Sequence, residues 1–198
     1  MRTYTIKRWT GDFADIPSLD MDKRYHETPE NVFARAQIAY DDENIYVRLE
    51  TEEYEHRNVE VPPFGLPCED SCLEFFFAPV EGDGRYFNIE INSNACIYFG
   101  IGHSIKDLIR LIPDEHREIF FPKIEMKEGG WSVEFAITAD LIRIFFPQYT
   151  IYSGKKIRAN CFKCADKTTP PHYLSWNHLT LGEPSFHDIE CFGEMIFE

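Results

Sequence analysis

The chain has 198 residues and sets 20 lysine and arginine side chains against 34 aspartate and glutamate side chains, a formal net charge of −14. With 43% hydrophobic and 15% aromatic residues it carries enough apolar surface for a core and is neither disordered nor of low complexity. Such an acidic chain repels phosphate backbones and anionic lipid, which excludes nucleic acid and charged membrane surfaces as partners.

The length suits one domain over residues 1–198. The N-terminal stretch MRTYTIKRWTGDFADI lacks the apolar run of a leader, and no segment approaches the roughly 18 apolar residues of a membrane span, so the expected location is cytoplasmic. The cysteines Cys68, Cys72, Cys96, Cys161, Cys164 and Cys191 are then expected as free thiols. The sequence does not speak to oligomeric state.

Along the chain a period of two dominates. Ala34–Tyr40 alternates, Asp41-Asp42-Glu43 interrupts, and Asn44–Glu50 alternates again with Ile45, Val47 and Leu49 on one face, which predicts a hairpin. The segment Tyr54–Asp70, with Pro62, Pro63, Gly65 and Pro67, reads as a long irregular loop. Strands are predicted at Cys72–Ala78, Arg85–Ser93 and Ala95–Gly100. Others follow at Glu118–Met126, Trp131–Thr138, Lys156–Ala165, Tyr173–Trp176 and Phe192–Phe197. A short helix is expected after Thr138, stopped by Pro147, with a weaker helical candidate at Ser104–Leu111. Gly82-Asp83-Gly84 and Gly100-Ile101-Gly102 read as turns. The fold class is all-β: an antiparallel β-sandwich, immunoglobulin-like or jelly-roll-like, with one or two short helices.

Two consecutive strands share a pattern that, if they pair, falls on one sheet face. In Tyr86–Asn92 the core takes Phe87, Ile89 and Ile91, which leaves Tyr86, Asn88, Glu90 and Asn92 together; the same alternation puts Glu74 with Phe76. Carboxylates, carboxamides and rings on one face suit sugars, whose hydroxyls pair with planar polar groups and whose C–H faces lie on rings. The same pattern also describes the solvated side of an ordinary sheet.

The C-terminal third carries the most specific text: Ala159–Asp166 with Cys161-Phe162-Lys163-Cys164, then Pro171-His172-Tyr173-Leu174-Ser175-Trp176, then Ser185-Phe186-His187-Asp188, then Phe192-Gly193. With Ile45–Leu49, Asp70–Glu74, Tyr86–Asn92 and Trp131–Glu134, this order resembles the family 9 carbohydrate-binding modules, especially their stand-alone branch. The resemblance implies non-catalytic binding of plant-type oligo- or polysaccharides of the glucan or xylan class, with a terminal sugar clamped between two tryptophans. It also implies metal ions, typically calcium, in a structural role.

Carried over position by position, the family's binding glutamate matches Glu74 and its second clamping tryptophan matches Phe186. The first clamping tryptophan falls near Pro67 or Cys68 and is absent, with Phe64 the nearest substitute; a family arginine is Glu90 here. The expected ligand-binding set is therefore Glu74, Asn88, Glu90, Asn92 and Phe186, with Phe64, Lys163, His172 and His187 as weaker members. Trp131 and Trp176 are expected in the core.

Competing readings remain. Cys161-x-x-Cys164 has the spacing of half a zinc site, but on a strand the two thiols point to opposite faces. Glu74 and Glu90 could imitate the carboxylate pair of a sugar-acting hydrolase, which needs one raised pKa and a separation of about 5–5.5 Å or 6.5–9.5 Å. A sandwich that has lost its sugar site and binds protein or haem is the other alternative.

Overall fold

The computed structural model describes residues 1–53, 56–112, 122–179 and 185–198. Its strands are β1 (Thr3–Arg8), β2 (Ser18–Asp20), β3 (Lys23–Tyr25), β4 (Phe33–Tyr40), β5 (Asn44–Glu52), β6 (Cys72–Ala78) and β7 (Tyr86–Asn92). They continue as β8 (Ile97–Gly102), β9 (Ile109–Leu111), β10 (Lys123–Lys127), β11 (Gly130–Thr138), β12 (Lys156–Cys164), β13 (Tyr173–Ser175) and β14 (Gly193–Phe197), with one short helix, α1 (Ala139–Phe145).

The strands run in the order β10-β11-β5-β4-β1-β14-β12-β6-β7-β8-β9, a curled sheet that folds over itself into two layers. The hairpin predicted across Asp41–Glu43 is present, with Tyr40 opposite Ile45. Pairing is antiparallel except at β1, which runs parallel to both β4 and β14 and so joins the layers. Ile45, Val47, Leu49, Val133 and Ile137 from one layer meet Leu73, Phe75, Phe77, Phe87, Ile89 and Ile91 from the other in one core. Each such side chain contributes about 1.5–3 kcal/mol on burial. Trp131 and Trp176 lie in that core, as expected.

The helix starts where its cap predicts: Thr138 Oγ1 accepts the Leu141 N–H at 3.1 Å, and Pro147 follows the end. The second helical candidate is corrected. Ser104–Asp107 forms a turn, and Ile109–Leu111 is edge strand β9, paired to β8. Gly82 and Gly84 do turn the chain, both at positive φ, whereas Gly100 and Gly102 lie inside β8 and are not a turn. Of the strand predicted at Glu118–Met126 only the end is seen, as part of β10; residues 118–121, and residues 54–55 of the predicted loop, lie outside the described residues.

No helix among the described residues is long and apolar enough to cross a membrane. Cys68, Cys72, Cys96, Cys161 and Cys164 are free thiols.

Candidate functional site

The layer β12-β6-β7-β8 has two faces. One feeds the main core; the other carries Glu74, Asn88 and Glu90 with a smaller aromatic cluster of Phe76, Tyr86, Phe162 and Phe186. Register brings these together from distant positions: Glu74 lies directly opposite Glu90, Phe76 opposite Asn88, and Phe162 opposite Glu74 on the other side. Tyr98 faces Glu90 from β8.

The face is well covered. Glu74 keeps 2% of its surface exposed, Glu90 6% and Asn88 none. Burial, and then the neighbouring Glu90 carboxylate, push the Glu74 carboxyl well above the usual carboxylate range. Burial raises Glu90 as well, against the pull of an N–H bond from Asn88. Asn88 Nδ2 donates that bond to Glu90 Oε1 at 2.9 Å, and Asn88 Oδ1 is left buried with no partner among the described residues.

One wall is aromatic. Phe186 stacks face to face on Phe162, with centroids 4.1 Å apart and planes within 11°. His187 Nδ1 lies 2.9 Å from the Tyr86 hydroxyl, beside the Phe76 ring, and burial lowers its pKa to about 4, so the imidazole is neutral. The opposite rim is the loop before β6. Arg110 holds it through the carbonyls of Phe64 and Gly65, at 3.0 and 2.7 Å, while its guanidinium lies over the Tyr98 ring. Phe64, on that loop, is 72% exposed.

A match to the family described as carbohydrate-binding family 9 runs from residue 12 to residue 197. The chain belongs to carbohydrate-binding family 9. Among solved structures, a proposed carbohydrate-binding protein from Bacteroides uniformis is similar over 100% of this chain and 99% of that one, at 25% identity and a TM-score of 0.84. Two structures of a family 9 module from Caldicellulosiruptor kristjanssonii, with glucose and with cellotriose, share the fold. Each is 12% identical over 100% of this chain, with 96% and 94% of the other chain covered and TM-scores of 0.69 and 0.70. No curated protein sequence matches the chain.

Membership makes this a non-catalytic carbohydrate-binding module and not a hydrolase, in keeping with the sequence reading. Within the family 9 fold, several predicted site residues stand elsewhere. Lys163 is fully buried on the other side of β12, where its Nζ meets Glu53 Oε2 and His172 Nε2, each at 3.2 Å. His172 is buried with it, 3.2 Å from the same carboxylate oxygen. Both are corrected from ligand candidates to members of an internal ion cluster. Alternation along β12 already carried this signal, since Lys163 shares parity with Cys161, a core residue.

Asn92 does share the face, but its groups are taken. Its Nδ2 donates to Glu60 O and Asp70 Oδ2, both at 2.8 Å, and its Oδ1 accepts from the Asn94 and Cys96 amides. It clamps the loop instead of offering bonds to a ligand. Phe186 is 8% exposed and already has one ring face on Phe162, so it is a wall and not an open platform.

The sequence reading missed Asp70, the loop's anchor. This fully buried carboxylate pairs with Arg57 and accepts the Val59 and Glu60 amides at 2.9 and 2.7 Å. Tyr98 and Arg110 were also missed, because nothing local in the sequence assigns β8 and β9 to this face. Cys161 and Cys164 do lie on opposite faces, in separate apolar clusters, and cannot share a metal ion.

Proposed function

We propose that the module binds a short oligosaccharide or chain end of the glucan or xylan class at the face of Glu74, Asn88 and Glu90, with Tyr86, His187 and Phe186 as one wall and Phe64 on the opposite rim. The observation that carries this reading is Asn88 Oδ1. A buried acceptor without a partner costs about 1–3 kcal/mol, and a sugar hydroxyl supplies the missing donor. Glu74 and Glu90 add further acceptors, and the exposed Phe64 ring offers an apolar surface to sugar C–H groups. The glucose and cellotriose held by the Caldicellulosiruptor modules support the glucan class.

Calorimetric titration with glucose-, xylose-, galactose- and mannose-based mono- and oligosaccharides, with turnover followed in the same mixtures, tests the reading. Saturable binding to a glucose- or xylose-based ligand without turnover is expected, reduced at least tenfold in Asn88→Ala and Glu74→Gln. Unchanged affinity in both folded variants would move the site elsewhere, and no binding across the panel would overturn the reading.

A further inference from the structure

On the floor of the same face, Cys72 precedes Glu74 by two residues on β6, so both point the same way, and Glu90 stands directly opposite Glu74. The Cys72 thiol sulfur and one carboxylate oxygen from each glutamate all lie within 4.8 Å of one another, and all three residues are buried. A tetrahedral metal ion holding one sulfur and two oxygens keeps its donor atoms about 3.5 Å apart, within reach of small side-chain rotations here.

Three further observations point to a cation. Two carboxylates placed opposite each other repel when both are ionised, and a proton or a cation between them relieves the repulsion. Among the described residues no side-chain cation makes an ion pair with either carboxylate: Lys163 is on the other face with Glu53, and Arg110, although its charge is felt at Glu90, gives its Nη donors to main-chain carbonyls. Asn88, fully buried, donates its Nδ2–H to Glu90, which fixes the orientation of that carboxylate, and its Oδ1 on the same face has no partner among the described residues.

We propose that Cys72, Glu74 and Glu90 form a binding site for one divalent transition-metal ion of the zinc class. The thiolate sets the class: calcium and magnesium take oxygen donors, whereas a mixed sulfur and carboxylate set suits zinc or cobalt. Binding displaces the thiol proton, and any proton on the two carboxyls, into solvent, so affinity falls as pH falls. The site uses the same Glu74 and Glu90 as the sugar reading, but its thiol ligand and its readouts, metal stoichiometry and a thiolate-to-metal band, do not depend on a sugar.

The test uses the full reduced chain, stripped with a chelator and titrated with zinc chloride and separately with cobalt chloride. One equivalent of each is expected to bind, cobalt with a thiolate-to-metal absorption band in the near ultraviolet. Cys72→Ser abolishes the band, whereas Cys96→Ser, which alters a thiol outside the cluster, retains it. Because Cys72 is buried, Glu90→Gln provides a second variant of nearly unchanged shape: zinc raises the Tm of the wild-type chain, and this rise is lost in the variant. A band that survives Cys72→Ser, a zinc-induced rise that survives Glu90→Gln, or an equal rise with calcium would each overturn the proposal. So would the absence of stoichiometric zinc and cobalt binding.

Discussion

Lys163 and Glu53 form an ion pair with both side chains essentially withdrawn from solvent, 0% and 1% exposed, their charged atoms 3.2 Å apart. Around it, Ser71 Oγ donates to Glu53 Oε1, the Trp131 Nε1–H reaches Ser71 at 2.9 Å, and His172 closes the far side. The cluster ties β12 to the end of β5 and to the start of β6 at the edge of the main core. Lys163→Met removes the ammonium opposite the buried Glu53 carboxylate, leaving only His172 and Ser71 beside it, and is expected to destabilise the fold by about 3–5 kcal/mol. Adding Glu53→Gln to that variant is expected to restore part of the loss, because no uncompensated charge remains. Chemical denaturation of the single and double variants measures both.

Glu53 also sets an acid limit. Burial alone would raise its pKa, but the Lys163 charge and bonds from His172 and Ser71 outweigh burial and hold it at about 2. A carboxyl depressed in the folded state contributes stability that is present above its unfolded value and is lost as pH falls toward the folded one. The melting temperature is therefore expected to drop between about pH 4.5 and pH 2. Glu53→Gln flattens this limb in a Tm-against-pH series.

Glu74 and Glu90 act with the opposite sign. Burial raises both folded-state values above the unfolded ones, so their contribution is complete below the ordinary carboxylate range and declines as pH rises through the raised values. In chelator, the chain is expected to lose stability on the way from pH 5 to pH 8, and Glu90→Gln to lose less. A steeper decline in Glu90→Gln than in the wild-type chain would contradict the assignment of burial and mutual repulsion as the cause.

The loop before β6 depends on one carboxylate. Asp70→Ala removes the Arg57 pair, two main-chain bonds and the Asn92 contact together. A loss of about 2–4 kcal/mol is expected, since bonds to a charged group contribute about 1.5–3 kcal/mol each but are not additive. Hydrogen exchange at the Val59 and Glu60 amides is expected to accelerate more than exchange in β11, which marks the effect as local.

Gly193 is required by a close approach. A Cβ built there would lie 2.4 Å from Cζ3 of Trp176 and 3.0 Å from the Arg2 carbonyl oxygen. Gly193→Ala is expected to cost about 1–3 kcal/mol through displacement of a packed indole, read from the denaturation midpoint and the tryptophan fluorescence maximum.

The alternation of apolar and polar residues was enough, by itself, to establish an all-β fold, the hairpin at Asp41–Glu43, and the grouping of Glu74, Asn88 and Glu90 away from the core, because side-chain direction in a strand follows from parity alone. The cap at Thr138 and the stop at Pro147 were equally local. Parity along β12 also held the correct side for Lys163. Only the tertiary structure decided the rest. The β6–β7 register sets Glu74 against Glu90, Asp70 occupies the amide of Asn92, and the partner of Lys163 is Glu53, which lies far away in the chain. The three-residue strands β2 and β3 are too brief to show a period, and β1, where Tyr4 and Ile6 do alternate with exposed neighbours, finds its parallel neighbours only once the two layers have closed. A residue's face is a property of its own backbone, whereas its partner depends on which distant strand lies beside it, and that is settled by packing the whole core.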